Sequence, residues 1–244
     1  MSFHIIIPAR FESTRLPGKP LLDIAGKPMI QHVYERAMEA GADSVTVATD
    51  NLRVEEVVRD FGGDACLTND RHVSGTDRLA EAAQIIGLSD DDLVVNLQGD
   101  EPLMPASLIV GVADVLHEDK NADVATASVL IQDPADINNP HVVKVVTDRF
   151  GHALYFSRAP IPFSRDPVSE DLGMEHRVYR HIGLYAYRCG YLDEYTQLEH
   201  CKLEQVEALE QLRVLWHGGK IAVVEAEEEP GHGVDTPEDL ERVR

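Results

Sequence analysis

Phe3-His4-Ile5-Ile6-Ile7-Pro8-Ala9-Arg10-Phe11-Glu12-Ser13-Thr14-Arg15-Leu16-Pro17-Gly18-Lys19-Pro20 decides the fold, because an apolar run discharges directly into a basic loop. Residues 3–7 are a short apolar run of the kind that forms a buried strand, and the prolines and glycine after them stop any helix. The loop carries Arg10, Arg15 and Lys19 with the hydroxyls of Ser13 and Thr14. An arginine fork binds phosphate oxygens bidentately, a lysine neutralises them as a movable point charge, and backbone N–H groups near Gly18 complete a cradle for a nucleoside triphosphate. The loop is neither a Walker A sequence nor Gly-x-Gly-x-x-Gly. Basic loop residues also commonly do no more than face water, so the loop taken alone leaves that reading open.

The charge of the whole chain bears on the choice. Its 244 residues hold 22 Lys and Arg against 43 Asp and Glu, a formal net charge of −21. So acidic a protein repels nucleic acid and anionic membrane, and three cations gathered in one loop then suit a small anionic ligand. Glu225 to Glu229 is assigned no role beyond a solvated strand end or turn. The length fits one α/β domain, or one with an inserted subdomain. No apolar stretch reaches the roughly eighteen residues that span a bilayer, and Met-Ser-Phe-His lacks the basic segment of a signal peptide, so a cytoplasmic protein is expected. Cys66, Cys189 and Cys201 have no Cys-x-x-Cys spacing and are expected as reduced, mostly buried thiols.

Apolar runs at Val45–Ala48, Ala65–Leu67, Leu93–Leu97 and Val124–Val129 alternate with helical patterns at Met29–Ala40, Leu52–Phe61, Asp77–Ile86 and Ser107–His117. That order predicts βαβ units, a mainly parallel sheet, and a ligand crevice at the carboxyl ends of its strands. The basic loop and Asp100 both follow such ends and should share the crevice. After Ile131 the rhythm changes: Val142–Val146, Leu154–Ser157 and Ile182–Tyr187 read as strands without regular helices between them. Arg158 to Arg180 reads as a long ordered excursion or subdomain over the crevice. The closing section predicts a helix over Leu203–Trp216, a strand over Ile221–Val224 and a short helix after Pro237. Residues 1–244 thus form one domain, with 131–190 contributing a smaller subdomain.

In Asn96-Leu97-Gln98-Gly99-Asp100-Glu101-Pro102, Gly99 permits close approach of a ligand, and a carboxylate at a strand end facing triphosphate oxygens suits Mg2+. Asp100 is the candidate, and a turn aspartate bonding its own backbone is the alternative. In Gly231-His232-Gly233-Val234-Asp235-Thr236-Pro237-Glu238-Asp239-Leu240, Asp235 offers a second carboxylate, although Asp235 or Thr236 also serves as the N-cap of a helix with Pro237 in its first turn. His72-Val73-Ser74-Gly75-Thr76-Asp77-Arg78 reads as a loop and helix start, a natural site for hydroxyl and backbone contacts to ribose or phosphate.

Together these segments resemble the 3-deoxy-manno-octulosonate cytidylyltransferase family, the CMP-Kdo synthetases. The resemblance rests on residues 7–21, Val47 to Asp50, Ser74 to Leu79, Val95 to Pro102, Tyr155 to Pro162, His181 to Arg188, Leu209 to Arg213 and Gly233 to Leu240, and so runs nearly end to end. It implies an α/β fold of the nucleotide-diphospho-sugar transferase type with an inserted subdomain, CTP and Kdo as substrates, Mg2+ as cofactor, a homodimer in which 131–190 serves the acceptor side and dimerisation, and a product that feeds lipopolysaccharide synthesis. Position by position, it implies that Pro8, Ala9, Arg10, Ser13, Arg15, Lys19, Ser74 and Gln98 bind CTP, and that Asp100 and Asp235 bind the metal. Arg158, His181, Tyr185, Glu210 and Gln211 would meet the sugar acid. Lys19 and Arg10 join the two aspartates as the catalytic set.

Read from the residues alone, the acceptor side is less distinctive. Leu203, Val206, Leu209, Leu212 and Trp216 form an apolar stripe expected in the core, with Glu210 and Gln211 beside it as a solvated helix face. His181 at the start of an apolar strand suits a packed or capping histidine. Three rivals remain at this level: activation of another acidic sugar such as an amino-Kdo or a sialic acid, a nucleotide-sugar glycosyltransferase, and a catalytically silent nucleotide sensor. A glycosyltransferase needs no basic triphosphate loop, and a sensor needs no separated pair of metal carboxylates. No nucleophile–base pair is evident, which agrees with in-line transfer by positioning and charge neutralisation.

Overall fold

The computed structural model describes residues 1–13, 15–72, 74–165, 177–231 and 233–244. Its first half follows the predicted alternation: β1 (His4–Ala9), a 3-10 turn over Lys19–Leu21, a small hairpin of β2 (Asp23–Ile24) and β3 (Lys27–Pro28), α1 (Met29–Glu39), β4 (Ser44–Thr49), α2 (Leu52–Asp60), β5 (Asp64–Leu67), α3 (Gly75–Ile85), β6 (Leu93–Asn96) and α4 (Ala106–Glu118). The second half contains β7 (Val124–Leu130), α5 (Pro134–Ile137), β8 (Lys144–Thr147), β9 (Ala153–Ser157), β10 (Tyr179–Arg188), α6 (Cys189–Gln197), α7 (Lys202–Glu207), α8 (Leu212–Trp216), β11 (Ile221–Glu225) and α9 (Pro237–Val243).

Among the described residues the main sheet runs β11-β7-β10-β6-β1-β4-β5, with β8 pairing β10 and β9. β6, β1, β4 and β5 are mutually parallel, and β11 is parallel to β7. β10 enters antiparallel between β6 and β7. The sheet is therefore mainly parallel, as expected. Alternate residues of β1 supply two cores: Ile5 and Ile7 pack with Val33 of α1, Val58 of α2 and Val112 of α4, whereas Ile6 packs with Leu79 of α3, Leu192 of α6 and Leu212 of α8. Covering both faces with helices is what makes these strands continuously apolar instead of alternating.

Two placements fix the crevice. β1 and β6 are neighbours, so their outgoing loops meet, with Leu97 N–H donating to Ile6 O at 3.2 Å and Gly99 N–H to Pro8 O at 3.3 Å. A Cβ at Gly99 would stand 2.8 Å from that carbonyl, which is why glycine occupies this position. A small separate cluster of Leu16, Ile24, Met29, Val234 and Leu240 then pins the basic loop to the segment leading into α9. This packing brings residue 235 to the mouth of the sheet.

Several expectations need correction. The predicted helix over Leu203–Trp216 is two helices, broken where Ala208 adopts the left-handed region at φ 51°. Leu209 and Leu212 of its stripe are buried, but Leu203, Val206 and Trp216 are exposed, so the stripe does not face the core as a unit. α6 was not anticipated, because only Leu192, Tyr195 and Cys189 of its nine residues are buried and the periodic signal is faint. β10 begins at Tyr179, before the predicted Ile182, and α3 begins at Gly75, before Asp77. Within 131–190, β8 and β9 form a hairpin against the start of β10. The middle of the excursion between Arg158 and Arg180, residues 166–176, lies outside the described residues. The three cysteines are free and buried, as expected.

Candidate active site

The basic loop is built around Gly18, whose left-handed conformation (φ 68°) turns the chain so that its N–H donates to Phe11 O at 3.1 Å. Ser13 Oγ accepts from Leu16 N at 3.3 Å, so this hydroxyl shapes the loop as well as facing its interior. Thr14 lies outside the described residues. Pro8, Ala9, Arg10, Ser13, Arg15, Lys19, Gln98 and Asp100 all line one cavity of about 360 Å³. Most of the triphosphate set expected from the sequence is thus in one place. Ser74 is not part of this lining: its Oγ accepts from Asp77 N at 3.0 Å as the N-cap of α3, and the neighbouring Gly75 faces the cavity.

Lys19 is the hub. Its Nζ lies 2.6 Å from Asp100 Oδ2 and 2.9 Å from Asp235 Oδ1, and Arg15 stands 3.2 Å from the same Asp235 oxygen. Val234 N–H donates to Asp100 O at 2.8 Å and sets Asp235 beside its partner. Asp235 precedes the N-cap: Thr236 caps α9 with a full capping box, so the carboxylate of residue 235 is left for the site. Burial pulls the Lys19 ammonium down, but the charge of Asp100 and the hydrogen bonds to both aspartates hold it above its ordinary pKa. Adjacent Glu101 behaves oppositely: burial, then the charges of Asp100 and Asp235, push its carboxyl up to about 8. It is mostly protonated at neutral pH, which spares the site a third negative charge.

The donor set fits a hard divalent cation. Asp100 and Asp235 converge on one locus now neutralised by an ammonium, and among the described residues no larger cluster of His, Cys, Asp or Glu is arranged to ligate a metal. One or two carboxylates, with remaining oxygens from phosphates and water, is the usual provision for Mg2+.

A second cavity of about 310 Å³ adjoins the first and shares Gly75 and Gln98 with it. Tyr185, Glu210 and Gln211, three of the residues expected to meet the sugar acid, line it with Thr76, Asn96, Tyr187 and Tyr195. Gln211 is buried and its Nε2 has no hydrogen-bond partner among the described residues. An unmet buried donor costs roughly 1–3 kcal/mol, so the amide is suited to a ligand. Glu210 and Gln211 are not a solvated helix face: the break at Ala208 turns both inward. Burial lifts the Tyr185 phenol well above its ordinary pKa, with Tyr187 and Glu210 adding to the effect.

The other two expected acceptor residues stand outside the lining of this cavity. His181 Nε2 pairs with Thr126 Oγ1 at 2.9 Å, and its ring centroid lies 5.4 Å from Tyr185. Burial, then the charge of Arg180, push it down to about 3, so it is neutral and positions Tyr185. Arg158 is held by backbone carbonyls: Nε donates to Glu207 O at 2.7 Å, and the terminal nitrogens to Pro140 O at 3.0 Å and Ala208 O at 3.4 Å. It braces the turn that carries Glu210 and Gln211.

Sequence reasoning missed Thr76, Tyr187 and Tyr195 as wall residues, and the buried pair of Arg78 and Asp50. Arg78 NH2 donates to Asp50 Oδ2 at 2.6 Å, and Asp50 Oδ1 accepts from Phe11 N at 3.3 Å, tying α3 to the basic loop. The segment 72–78 was legible as a contact site, but which hydroxyl faces inward depends on the helix start at Gly75.

A parallel sheet whose strand ends hold a cationic phosphate cradle, two converging carboxylates and an adjoining polar cavity defines a nucleotide-using α/β transferase. The cytidylyltransferase family profile matches residues 4–221. A 3-deoxy-manno-octulosonate cytidylyltransferase from Aliivibrio fischeri is 57% identical over 245 residues, covering 100% of this chain and 98% of that protein. This chain belongs to the 3-deoxy-manno-octulosonate cytidylyltransferase family. The solved structure of a CMP:2-keto-3-deoxy-manno-octonic acid synthetase complexed with CTP is 46% identical, with a TM-score of 0.92 and coverage of 100% and 97% of the two chains. A cytidylyltransferase from Leptospira borgpetersenii shares the fold at 18% identity, with a TM-score of 0.59 over 99% of this chain and 84% of that one.

Proposed function

We propose that this protein transfers the cytidylyl group of CTP to 3-deoxy-D-manno-octulosonate, forming CMP-Kdo and pyrophosphate. The observation that carries the reading is the adjacency of the two cavities across Gly75 and Gln98, one cationic and the other walled by phenols, Glu210 and an unmet amide. Arg10, Arg15, Lys19 and the amides of the loop bind the triphosphate, and the second cavity presents the anomeric hydroxyl of the sugar to the α-phosphorus. The new bond joins that oxygen to the α-phosphorus, the bond to the β-phosphate bridging oxygen breaks, and the hydroxyl proton passes to water. Lys19, with its ammonium held charged, neutralises the departing pyrophosphate. Asp100 and Asp235 would hold Mg2+, which when bound lowers the pKa of a nearby hydroxyl and offsets phosphate charge.

The product is the activated sugar for lipopolysaccharide synthesis in this reading. A soluble nucleotide substrate places this work in the cytoplasm; no helix among the described residues is long and apolar enough to cross a membrane. Exposed Leu154 and Phe163 in the 131–190 segment suit a homodimer contact, which sedimentation of the purified protein tests by mass. Pyrophosphate release from CTP, assayed with a panel of sugar acids, tests the reaction. Release with Kdo far above that with sialic acid and other sugar acids is expected. CTP turnover without any acceptor, or equal turnover with all of them, contradicts it.

A further inference from the structure

We infer that Thr76 is a positioning residue for the acceptor: its hydroxyl holds the Glu210 carboxylate in the orientation that accepts hydrogen bonds from the sugar's hydroxyl groups. The inference deepens the proposed function and rests on it. Thr76 is only 3% exposed and follows Gly75, one of the two residues common to both cavities. Its Oγ1 donates to Glu210 Oε1, 134 residues away in the sequence. A carboxylate is an awkward wall for a cavity that takes an acid, unless it is fixed where hydroxyl groups, and not the ligand's own carboxylate, meet it. The backbone around it is already fixed: Tyr195 Oη donates to Glu210 O at 3.2 Å, and Arg213 N to the same oxygen at 3.1 Å.

What remains free is the side chain of Glu210, and Thr76 is the residue that takes one of its oxygens. Among the described residues the other oxygen has no hydrogen-bond partner, and Glu210 lines the cavity. Thr76 also lies in the first turn of α3, an eleven-residue helix. Tyr185, Tyr187 and Tyr195 face the same carboxylate and are held as neutral phenols by burial, reinforced by the charge of Glu210, while the Thr76 side chain also hydrogen-bonds Tyr187. Among the described residues lining this cavity Glu210 is the one with a carboxyl side chain, and phenol donors surround it. Without the Thr76 hydroxyl it is free to rotate toward those phenols and withdraw from the ligand.

The test is Thr76→Val, which keeps the shape and removes the hydroxyl, with Thr76→Ser restoring it. The panel of sugar acids fixes the acceptor first. For that acceptor, KM is expected to rise about ten- to hundredfold in Thr76→Val, as for a lost hydrogen bond to a charged group. KM for CTP should stay within about twofold, and Thr76→Ser should recover most of the loss. Combined with Glu210→Ala, which leaves the Thr76 hydroxyl no carboxylate to hold, Thr76→Val should add little. An unchanged acceptor KM, an equal loss toward CTP, no rescue by serine, or independent multiplication of the two losses would each overturn the inference.

A reading that needs no acceptor separates it from the proposed function. The Glu210 side-chain carboxyl carbon, assigned by its absence in Glu210→Gln, should shift in Thr76→Val in the unliganded protein. An unmoved signal removes Thr76 from Glu210 whatever the substrate is. A shifted signal in a protein that turns over none of the sugar acids keeps the bond and rejects the reaction.

Discussion

Lys19 reaches Asp100 at 2.6 Å and Asp235 at 2.9 Å, so the charge that will meet a phosphate is stored between two carboxylates. Lys19→Ala is expected to raise KM for CTP and lower kcat, together by one to two decades, since a charge-assisted contact contributes roughly 1.5–3 kcal/mol. Arg15→Ala should cost less in the unliganded protein's stability, because its pair with Asp235 is half-exposed on both sides and such pairs contribute about 0–1 kcal/mol. Steady-state kinetics in CTP check the first, and unchanged CTP constants in Lys19→Ala would take the loop out of the site. Asp100→Asn and Asp235→Asn should each nearly abolish turnover at saturating substrates, with the double variant little worse than the worse single. Normal turnover in Asp235→Asn would leave that residue as a neighbour of a helix cap. At this scale the loop and Asp100 were legible, since both follow apolar runs. The approach of Asp235 was legible only through resemblance, because it depends on Leu16 and Val234 sharing a cluster that no local pattern announces.

The turn between α7 and α8 decides how the acceptor cavity is closed. It is held from one side by Arg158 on the carbonyls of Glu207 and Ala208, and from the other by Arg213, whose Nε and NH2 both donate to Glu204 at 2.8 Å. Burial pushes the Glu204 carboxyl up, but its bonds to Arg213 and His200 outweigh this and bring it down to about 2. Its folded pKa is thus below the unfolded value near 4.5, so its contribution is complete above about pH 4.5 and is lost as pH falls toward 2. Glu204→Gln should therefore lower the melting temperature at neutral pH and flatten its decline across that acid window, with KM for the sugar acid raised and KM for CTP unchanged. Parallel pH–melting curves for the two proteins would contradict the brace. The central strands were legible because burial on both faces makes them apolar throughout. The break at Ala208 was not, because a three- and four-residue apolar spacing continues through it, and no side chain there forbids a helix.

Across the whole molecule, a chain with a net charge of −21 gathers Arg10, Arg15 and Lys19 in one cavity at the end of β1, while Arg78, Arg158 and Arg213 brace the elements around the crevice. The parallel frame and the position of the crevice could be read from the order of strands and helices. The insertion of β10 between β6 and β7 could not, since a strand's direction leaves no trace in its own residues, yet it places Tyr185 opposite Asn96 and so makes the second cavity. In the function proposed above, two adjoining cavities hold CTP and the sugar acid side by side, and the sugar hydroxyl takes the cytidylyl group from CTP in one displacement. The most direct test uses CTP carrying sulfur at the α-phosphorus as a single diastereomer, with the configuration of the CMP-sugar product read at that phosphorus. Inversion is predicted; retention would mean two displacements through a covalent cytidylyl-protein and would contradict transfer across Gly75 and Gln98.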